Sequence, residues 1–354
     1  MILLVAAAAV LLVLALQRNA DRLADIREDH RPEERLVDPD EKFHLNLTLR
    51  NTGRHYILFA RLEEQLARAF TVRDRGVLAR ENWSGGANVS FSTWLRPRQE
   101  VSFRFQVSVN ARGFYLLAPL KLSCGDFLGL GEQVRRTSRF RAVVAAPREA
   151  EDAGLADVLG GFLGDVSVRR FIHEDPVLTT GFREYTGREP MKQISWTQSA
   201  RGHGLMVKVF DHTAEPRVSV LLNADTRAKG REALLEKCYS LARTVCRILE
   251  ERGVQYDFAT NADMAGPVGG AGGEVCERGL GAKHFSAVLD CLGRATYFRT
   301  VSGEQFLTQS ADVSAVLGRI LITPSDDFPA SRALERLREF SGGSLLILRA
   351  DEAV

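Results

Sequence analysis

The chain opens on an unbroken apolar run, residues 1–16, MILLVAAAAVLLVLAL, ended by Gln17, Arg18 and Asn19. A bilayer core needs roughly 20 apolar residues, with a range of about 17–25, so the run predicts an N-terminal transmembrane helix over residues 1–17. No positive charge precedes it, as a secretory signal would require; Arg18, Arg22 and Arg27 follow it instead, among Asp21 and Asp25. That asymmetry predicts a single pass, with the rest of the protein in the cytoplasm. The alternative is a buried helix of a soluble domain. Residues 18–40, charged and carrying Pro32 and Pro39, read as a juxtamembrane linker.

From Phe43 the pattern changes to period two. Phe43, Leu45, Leu47 and Leu49 alternate with His44, Asn46, Thr48 and Arg50, and Asn51-Thr52-Gly53 supplies a turn. Tyr56–Leu62 reads as a second strand, while residues 63–69 suit either a strand or a helical turn. Val101, Phe103, Phe105, Val107 and Val109 alternate again, followed by strands over Tyr115–Leu122 and Phe140–Ala145. Short strands spaced by turn signals predict an antiparallel β-sandwich over residues 41–147. Such a domain serves as a spacer, or presents loops and edges to a partner.

The last part, residues 216–354, reads as an α/β domain. Val218–Leu222, VSVLL, is a continuous apolar strand of the type buried on both faces. A helix follows over Arg231–Glu251, with Leu234, Cys238, Leu241, Val245, Ile248 and Leu249 on one stripe, and Gly253 ends it. Strands over Val254–Ala259, Ile320–Thr323 and Leu345–Leu348 alternate with helices over Lys283–Gly293 and Ala330–Phe340. This alternation predicts a mostly parallel sheet with helices on both faces, in which function gathers at the carboxyl ends of the strands. Asn223, Asp225 and Thr226 follow the first strand; Thr323, Ser325 and Asp326 follow a later one.

Between the two domains, residues 148–215 hold the densest chemistry. Arg183, Glu184, Tyr185, Lys192, Trp196, Ser199 and Arg201 crowd together. They form no nucleophile–base pair and no metal cluster. Planar hydrogen-bonding groups of this kind suit a partner-binding surface, or a domain junction pinned by aromatic packing and hydrogen bonds.

Composition narrows the function classes. At 354 residues the chain has room for two ordinary domains, and 45% hydrophobic with 26% charged residues describes a globular protein. A net charge of +2, without a basic block among aromatics, argues against nucleic acid as a partner. The five cysteines make no CxxC pair, which excludes a zinc ribbon and suits a reducing compartment. The glycine loop Gly266–Gly273 lacks the lysine and hydroxyl of a phosphate-binding loop. His173, His203 and His212 lie near Glu174, Asp175, Glu184 and Asp211, but no catalytic motif joins them, and the chain reads as non-enzymatic.

The pieces resemble one bacterial family, domain-of-unknown-function family 58, over nearly the whole chain. The resemblance rests on the N-terminal apolar segment, on Arg112-Gly113-Phe114-Tyr115 with Gly125-Asp126-Phe127-Leu128-Gly129-Leu130, and on the central motif. That motif is similar to the family's REYxxGDxxRxIxWxxSAR, here Arg183-Glu184-Tyr185, Lys192, Ile194, Trp196 and Ser199-Ala200-Arg201. Arg188 replaces the family's acid after glycine, and Lys192 its arginine. Many members carry two membrane segments, against one here. The resemblance implies a C-terminal domain similar to a von Willebrand factor A domain, which is Rossmann-like. It also implies a non-catalytic, membrane-anchored partner of a MoxR-type AAA+ ATPase, assisting assembly or maturation of other proteins.

A magnesium-binding domain of that type carries Asp-x-Ser-x-Ser after its first strand, so that hard oxygens surround the ion. Here the stretch reads Asn223-Ala224-Asp225-Thr226-Arg227. Asn223, Asp225, Thr323 and Asp326 make a degenerate ligand set, and no cofactor is expected. The alternative function is a metal-dependent protein-binding module of the von Willebrand A type, using magnesium.

Overall fold

The computed structural model describes residues 2–18, 23–74, 78–81, 85–125, 132–137, 140–151, 154–170, 179–187, 190–201, 204–210, 217–227, 229–266, 274–312, 318–324, 331–340 and 344–351. The chain divides into two compact units, one of residues 1–148 with 292–294, the other of residues 149–291 with 295–354. The architecture is mixed, a β-rich unit followed by an α/β unit.

The first unit begins with α1, Ile2–Arg18. Ile2, Leu3, Leu4 and Leu11 on this helix are exposed. The expected transmembrane helix is not found: among the described residues no helix is long and apolar enough to cross a membrane. The 17 residues of α1 rise about 26 Å, short of a hydrocarbon core of about 30 Å.

Twelve strands follow among the described residues of this unit. They are β1 (Ile26–Pro32), β2 (Leu36–Val37), β3 (Lys42–Asn51), β4 (Ile57–Leu66), β5 (Phe70–Val72), β6 (Leu78–Glu81), β7 (Ala87–Leu95), β8 (Glu100–Val109), β9 (Gly113–Leu117), β10 (Lys121–Gly125), β11 (Glu132–Arg136) and β12 (Arg141–Ala145). One sheet has the order β1-β3-β8-β5, a second β11-β10-β4-β7-β6, and a third β2-β12-β9. The first two are antiparallel throughout. Alternate residues of β3 (Phe43, Leu45, Leu47 and Leu49) join Leu62 and Leu66 of β4, Phe105 and Val107 of β8, and Leu122 of β10 in one core. The ambiguous residues after Leu62 continue β4 as far as Leu66. The strand expected over Tyr115–Leu122 is two strands, β9 and β10, since Pro119 has no N–H to continue a ladder.

The stretch expected to be a charged linker is also corrected, because β1 and β2 lie in it. Ile26 and His30 of β1 are buried while Arg27 and Arg31 are exposed, so the strand alternates as an edge strand should. Its inward polar residue, His30, meets Glu64 inside the core.

The second unit contains α2 (Leu155–Arg170), β13 (Thr179–Glu184), α3 (Trp196–Ser199), β14 (Met206–Phe210), β15 (Arg217–Leu222), α4 (Arg231–Glu251), β16 (Gln255–Thr260), β17 (Ala262–Met264), β18 (Glu274–Gly279), α5 (Ala282–Arg294), β19 (Ala295–Arg299), α6 (Gly303–Asp312), β20 (Gly318–Thr323), α7 (Ser331–Phe340) and β21 (Leu345–Arg349). The main sheet has the order β18-β16-β15-β20-β21, parallel except for β18 at its edge. Helix α4 buries Leu235, Cys238, Leu241, Val245 and Leu249 and packs on β15, β16 and β20. Gly253, at a φ of 66°, turns the chain out of α4, a conformation that only glycine adopts readily. Leu221, Ala259 and Leu321 form a second cluster with Phe306 and Leu307 of α6 and Leu337 of α7. Arg319 on β20 is buried and donates to the carbonyl oxygens of Ser310, at 3.3 Å, and of Ala311 and Leu337, each at 3.5 Å. Those carbonyls belong to the last turns of α6 and α7, where helices leave acceptors unpaired.

Candidate functional site

Two arrangements of the second unit are chemically distinctive. The first is the central motif, which folds as a hairpin with a helical insertion. Strands β13 and β14 pair antiparallel, with Arg183 opposite Val207 and Glu184 opposite Met206. The insertion returns to β14 through a bridge between Ile194 and Val207, both buried. Ser199 ties the insertion together: its Oγ donates to the carbonyl of Ser195 and accepts from the N–H of Met206, each at 2.9 Å. Tyr185 N–H closes the hairpin on Leu205 O at 2.8 Å.

This fold leaves most of the motif facing solvent. Arg183, Glu184, Lys192, Trp196 and Arg201 are exposed, and Tyr185 and Ser199 are half-buried. Trp196 is 60% exposed, and three further apolar side chains of the same unit are open to water: Met191 at 69%, Leu205 at 44% and Phe182 at 42%. Large apolar side chains exposed on one hairpin and its insertion suit protein contact. Sequence reading singled out Trp196 but not Met191, Leu205 or Phe182. His173, Glu174, Asp175, Arg188, His203, Asp211 and His212 lie outside the described residues.

The second arrangement lies at the carboxyl ends of β15, β16 and β20. Asn223, Asn261 and Thr323 are buried there. Asn223 Nδ2 donates to Thr323 Oγ1 and to Asp225 O, each at 3.3 Å. Its Oδ1 accepts from Asp225 N at 3.0 Å and from Asn261 Nδ2 at 3.1 Å. All four hydrogen-bonding positions of the Asn223 amide are therefore used. Asn261 Oδ1 accepts from Ala224 N at 2.7 Å, and its Nδ2 also donates to Val301 O at 3.2 Å. Asp225 Oδ2 accepts from the Arg299 guanidinium, and from Gly303 N, in the first turn of α6, at 2.9 Å.

The described residues do not fit a divalent ion. Magnesium demands six oxygens in near-octahedral array. Among the described residues of the cluster Asp225 alone supplies a carboxylate, and it already faces a guanidinium and a backbone N–H. Asn223 is hydrogen-bonded to both Asp225 and Thr323, while Asp326 and Ser325 lie outside the described residues. Asn261, Arg299 and Gly303 were not foreseen, since each enters from a different segment of the chain.

No protein-family profile matches this chain. No curated protein matches it either. Among solved structures, a cohesin module from a Clostridium perfringens family 33 glycoside hydrolase is 13% identical, with a TM-score of 0.25 over 33% of this chain and 96% of that one. A CARDB domain from Pyrococcus furiosus, solved with di-metal ions, is 10% identical, with a TM-score of 0.23 over 34% and 92%. The full-length major pilin SpaD from Corynebacterium diphtheriae is 8% identical, with a TM-score of 0.28 over 36% and 39%. Likenesses at such TM-scores carry no argument about fold or function.

Two thiols of the α/β core are shifted by burial. Burial pushes the Cys246 thiol well up, and the neighbouring Cys276 and Glu250 add to the shift. Burial likewise raises Cys238, with Asp351 adding to it. Neither thiol has the depressed value of a nucleophile.

Proposed function

We propose that the protein is a non-catalytic binding partner of a MoxR-type AAA+ ATPase and belongs with the family 58 proteins that its central motif resembles. The observation that carries this reading is the exposure of four large apolar side chains, Trp196, Met191, Leu205 and Phe182, in a motif that also exposes Arg183, Glu184, Lys192 and Arg201. Tryptophan beside arginine is the composition of an interface hot spot, because both bury large areas and keep a polar edge for hydrogen bonding. Ser199 makes the surface rigid, which lowers the entropy lost on binding. Two facing sheets in the first unit and a mainly parallel sheet in the second are compatible with a sandwich and a von Willebrand A-like domain. The exposed apolar side chains of α1 support residence at the cell membrane, with the two units in the cytoplasm.

The test is capture of the ATPase by the full chain in detergent, with and without ATP and magnesium, followed by mass spectrometry. Enrichment of an AAA+ ATPase that disappears with Trp196→Ala and Arg183→Ala supports the reading. Equal recovery with parent and variants would remove the motif from the interface.

A further inference from the structure

A cleft of about 780 Å³ opens in the first unit between β1 and β11, the edge strands of its two large sheets. Its size is that of a small-molecule site. Its lining is rich in arginine: Arg27 and Arg31 on β1, Arg50 on β3, and Arg135 and Arg136 on β11. The acids of the cleft only partly balance them. Glu28 holds Arg135 at 2.5 Å. Asp29 holds Arg31 at 2.8 Å and Arg141 at 3.2 Å. Burial alone would raise the Asp29 carboxyl, but those two guanidinium groups keep it below its usual value. Glu100 also lines the cleft, yet it makes no ion pair among the described residues.

Three guanidinium groups are left without a carboxylate among the described residues, those of Arg27, Arg50 and Arg136. The register makes the arrangement sharper. Arg27 and Arg50 are directly opposite across β1 and β3. Like charges in that position destabilise a sheet, and nothing in the core requires them, since both side chains are exposed. A second hollow of about 310 Å³ lies on the other side of Arg50, lined also by Arg98, Asn51 and Thr52. Arg98 sits at a φ of 59°, a left-handed conformation that a turn could have given to glycine or asparagine at lower cost. On its other ladder Arg50 lies opposite Glu100 of β8, with which it makes no ion pair among the described residues, so the like-charge pairing with Arg27 is the unbalanced one.

We propose that this cleft is a binding site for a phosphate-bearing anion, held in a fork between Arg27 and Arg50. Planar guanidinium groups match phosphate oxygens two by two, and an anion between the opposed arginines removes their repulsion. The phosphate has two sources of the same chemistry, a lipid headgroup or a soluble phosphate compound. Ala24, which lines the cleft, follows the apolar helix by only six residues, a span of at most about 22 Å.

The experiment uses the full chain in detergent, titrated with inorganic pyrophosphate by calorimetry, and in parallel floated with vesicles of phosphatidylcholine alone or doped with phosphatidic acid. The double variant Arg27→Gln/Arg50→Gln is compared with Arg61→Gln/Arg80→Gln, which removes the same charge from β4 and β6 of the other large sheet. Thermal melts establish that both remain folded. Loss of two charge-assisted contacts should weaken pyrophosphate binding at least about tenfold in the first variant and leave the second near the parent. Arginine-dependent binding of pyrophosphate assigns a soluble phosphate ligand. Arginine-dependent flotation on phosphatidic acid vesicles alone assigns a lipid headgroup. Equal weakening in the two variants would show general charge attraction and overturn the site, as would failure of the parent to bind either probe.

Discussion

His30 Nδ1 lies 3.0 Å from Glu64 Oε2 in the interior of the first unit, with the His30 side chain 2% and the Glu64 side chain 0% exposed. One residue comes from β1 and the other from β4, so the pair links the two large sheets through the core. Burial raises the Glu64 carboxyl above its ordinary value of 4.5, and the hydrogen bond from His30 only partly offsets this. The folded state therefore keeps the Glu64 proton at a pH where the unfolded chain has released it. This group contributes most to stability below about pH 4.5, and that contribution is lost as pH rises toward the folded value. Glu64→Gln should flatten the decline, as measured by urea unfolding across the acid range. His30→Leu leaves the buried Glu64 carboxyl without its hydrogen-bond partner and should cost about 1–3 kcal/mol.

Arg319 predicts a second stability effect in the α/β unit. Its buried guanidinium reaches three carbonyls at the ends of α6 and α7. Arg319→Met keeps the aliphatic stem but strands those acceptors, and should cost about 3 kcal/mol. Thermal melting reads the loss directly. Arg319→Lys should recover only part of it, because one ammonium replaces a planar fork.

At the central motif, binding and stability should separate. Trp196→Ala and Met191→Ala change exposed side chains and should alter unfolding free energy by less than about 0.5 kcal/mol. Both should abolish ATPase capture. Ser199→Ala breaks the link between the insertion and β14 and should lower stability by about 1–2 kcal/mol. A Trp196 variant that melts early would instead make the indole a structural anchor.

The strand-end cluster predicts a gain of response. Arg299→Ser leaves the Asp225 carboxylate with the Gly303 N–H but without its cation. Added magnesium should then raise the melting temperature of the variant and leave the parent unchanged. Fluorimetric melts with magnesium and with a chelator compare the two. A magnesium shift in the parent would return the metal-dependent module to consideration.

Legibility in the sequence followed how much each element depends on its own residues. Helix α4 spans the expected Arg231–Glu251, because one apolar stripe and a terminal glycine define it locally. The strand Val218–Leu222 was equally plain, since it is buried on both faces and Ser219 alone interrupts its apolar run. β1 was hidden because its outward residues are charged and its inward histidine is made tolerable only by Glu64, 34 positions away. The central motif was visible as a cluster of residue types, but the exposure of its apolar residues was not. Met191 and Leu205 are brought into one hairpin only through the pairing of β13 with β14, from Thr179 opposite Phe210 to Glu184 opposite Met206. Asn223, Asp225 and Thr323 were legible from position at strand ends. Arg299 was not, since nothing in its surroundings marks it as the counter-charge of a residue 74 positions earlier.

That counter-charge has a consequence for regulation. A bound ion is a reagent drawn from the cell, and its loss or exchange can turn a surface on or off. The charge beside Asp225 is instead written into the chain, delivered at synthesis in fixed ratio and released only when the fold opens. The Asp225 carboxylate is then freed by opening of the fold and not by exchange with a dissolved ion.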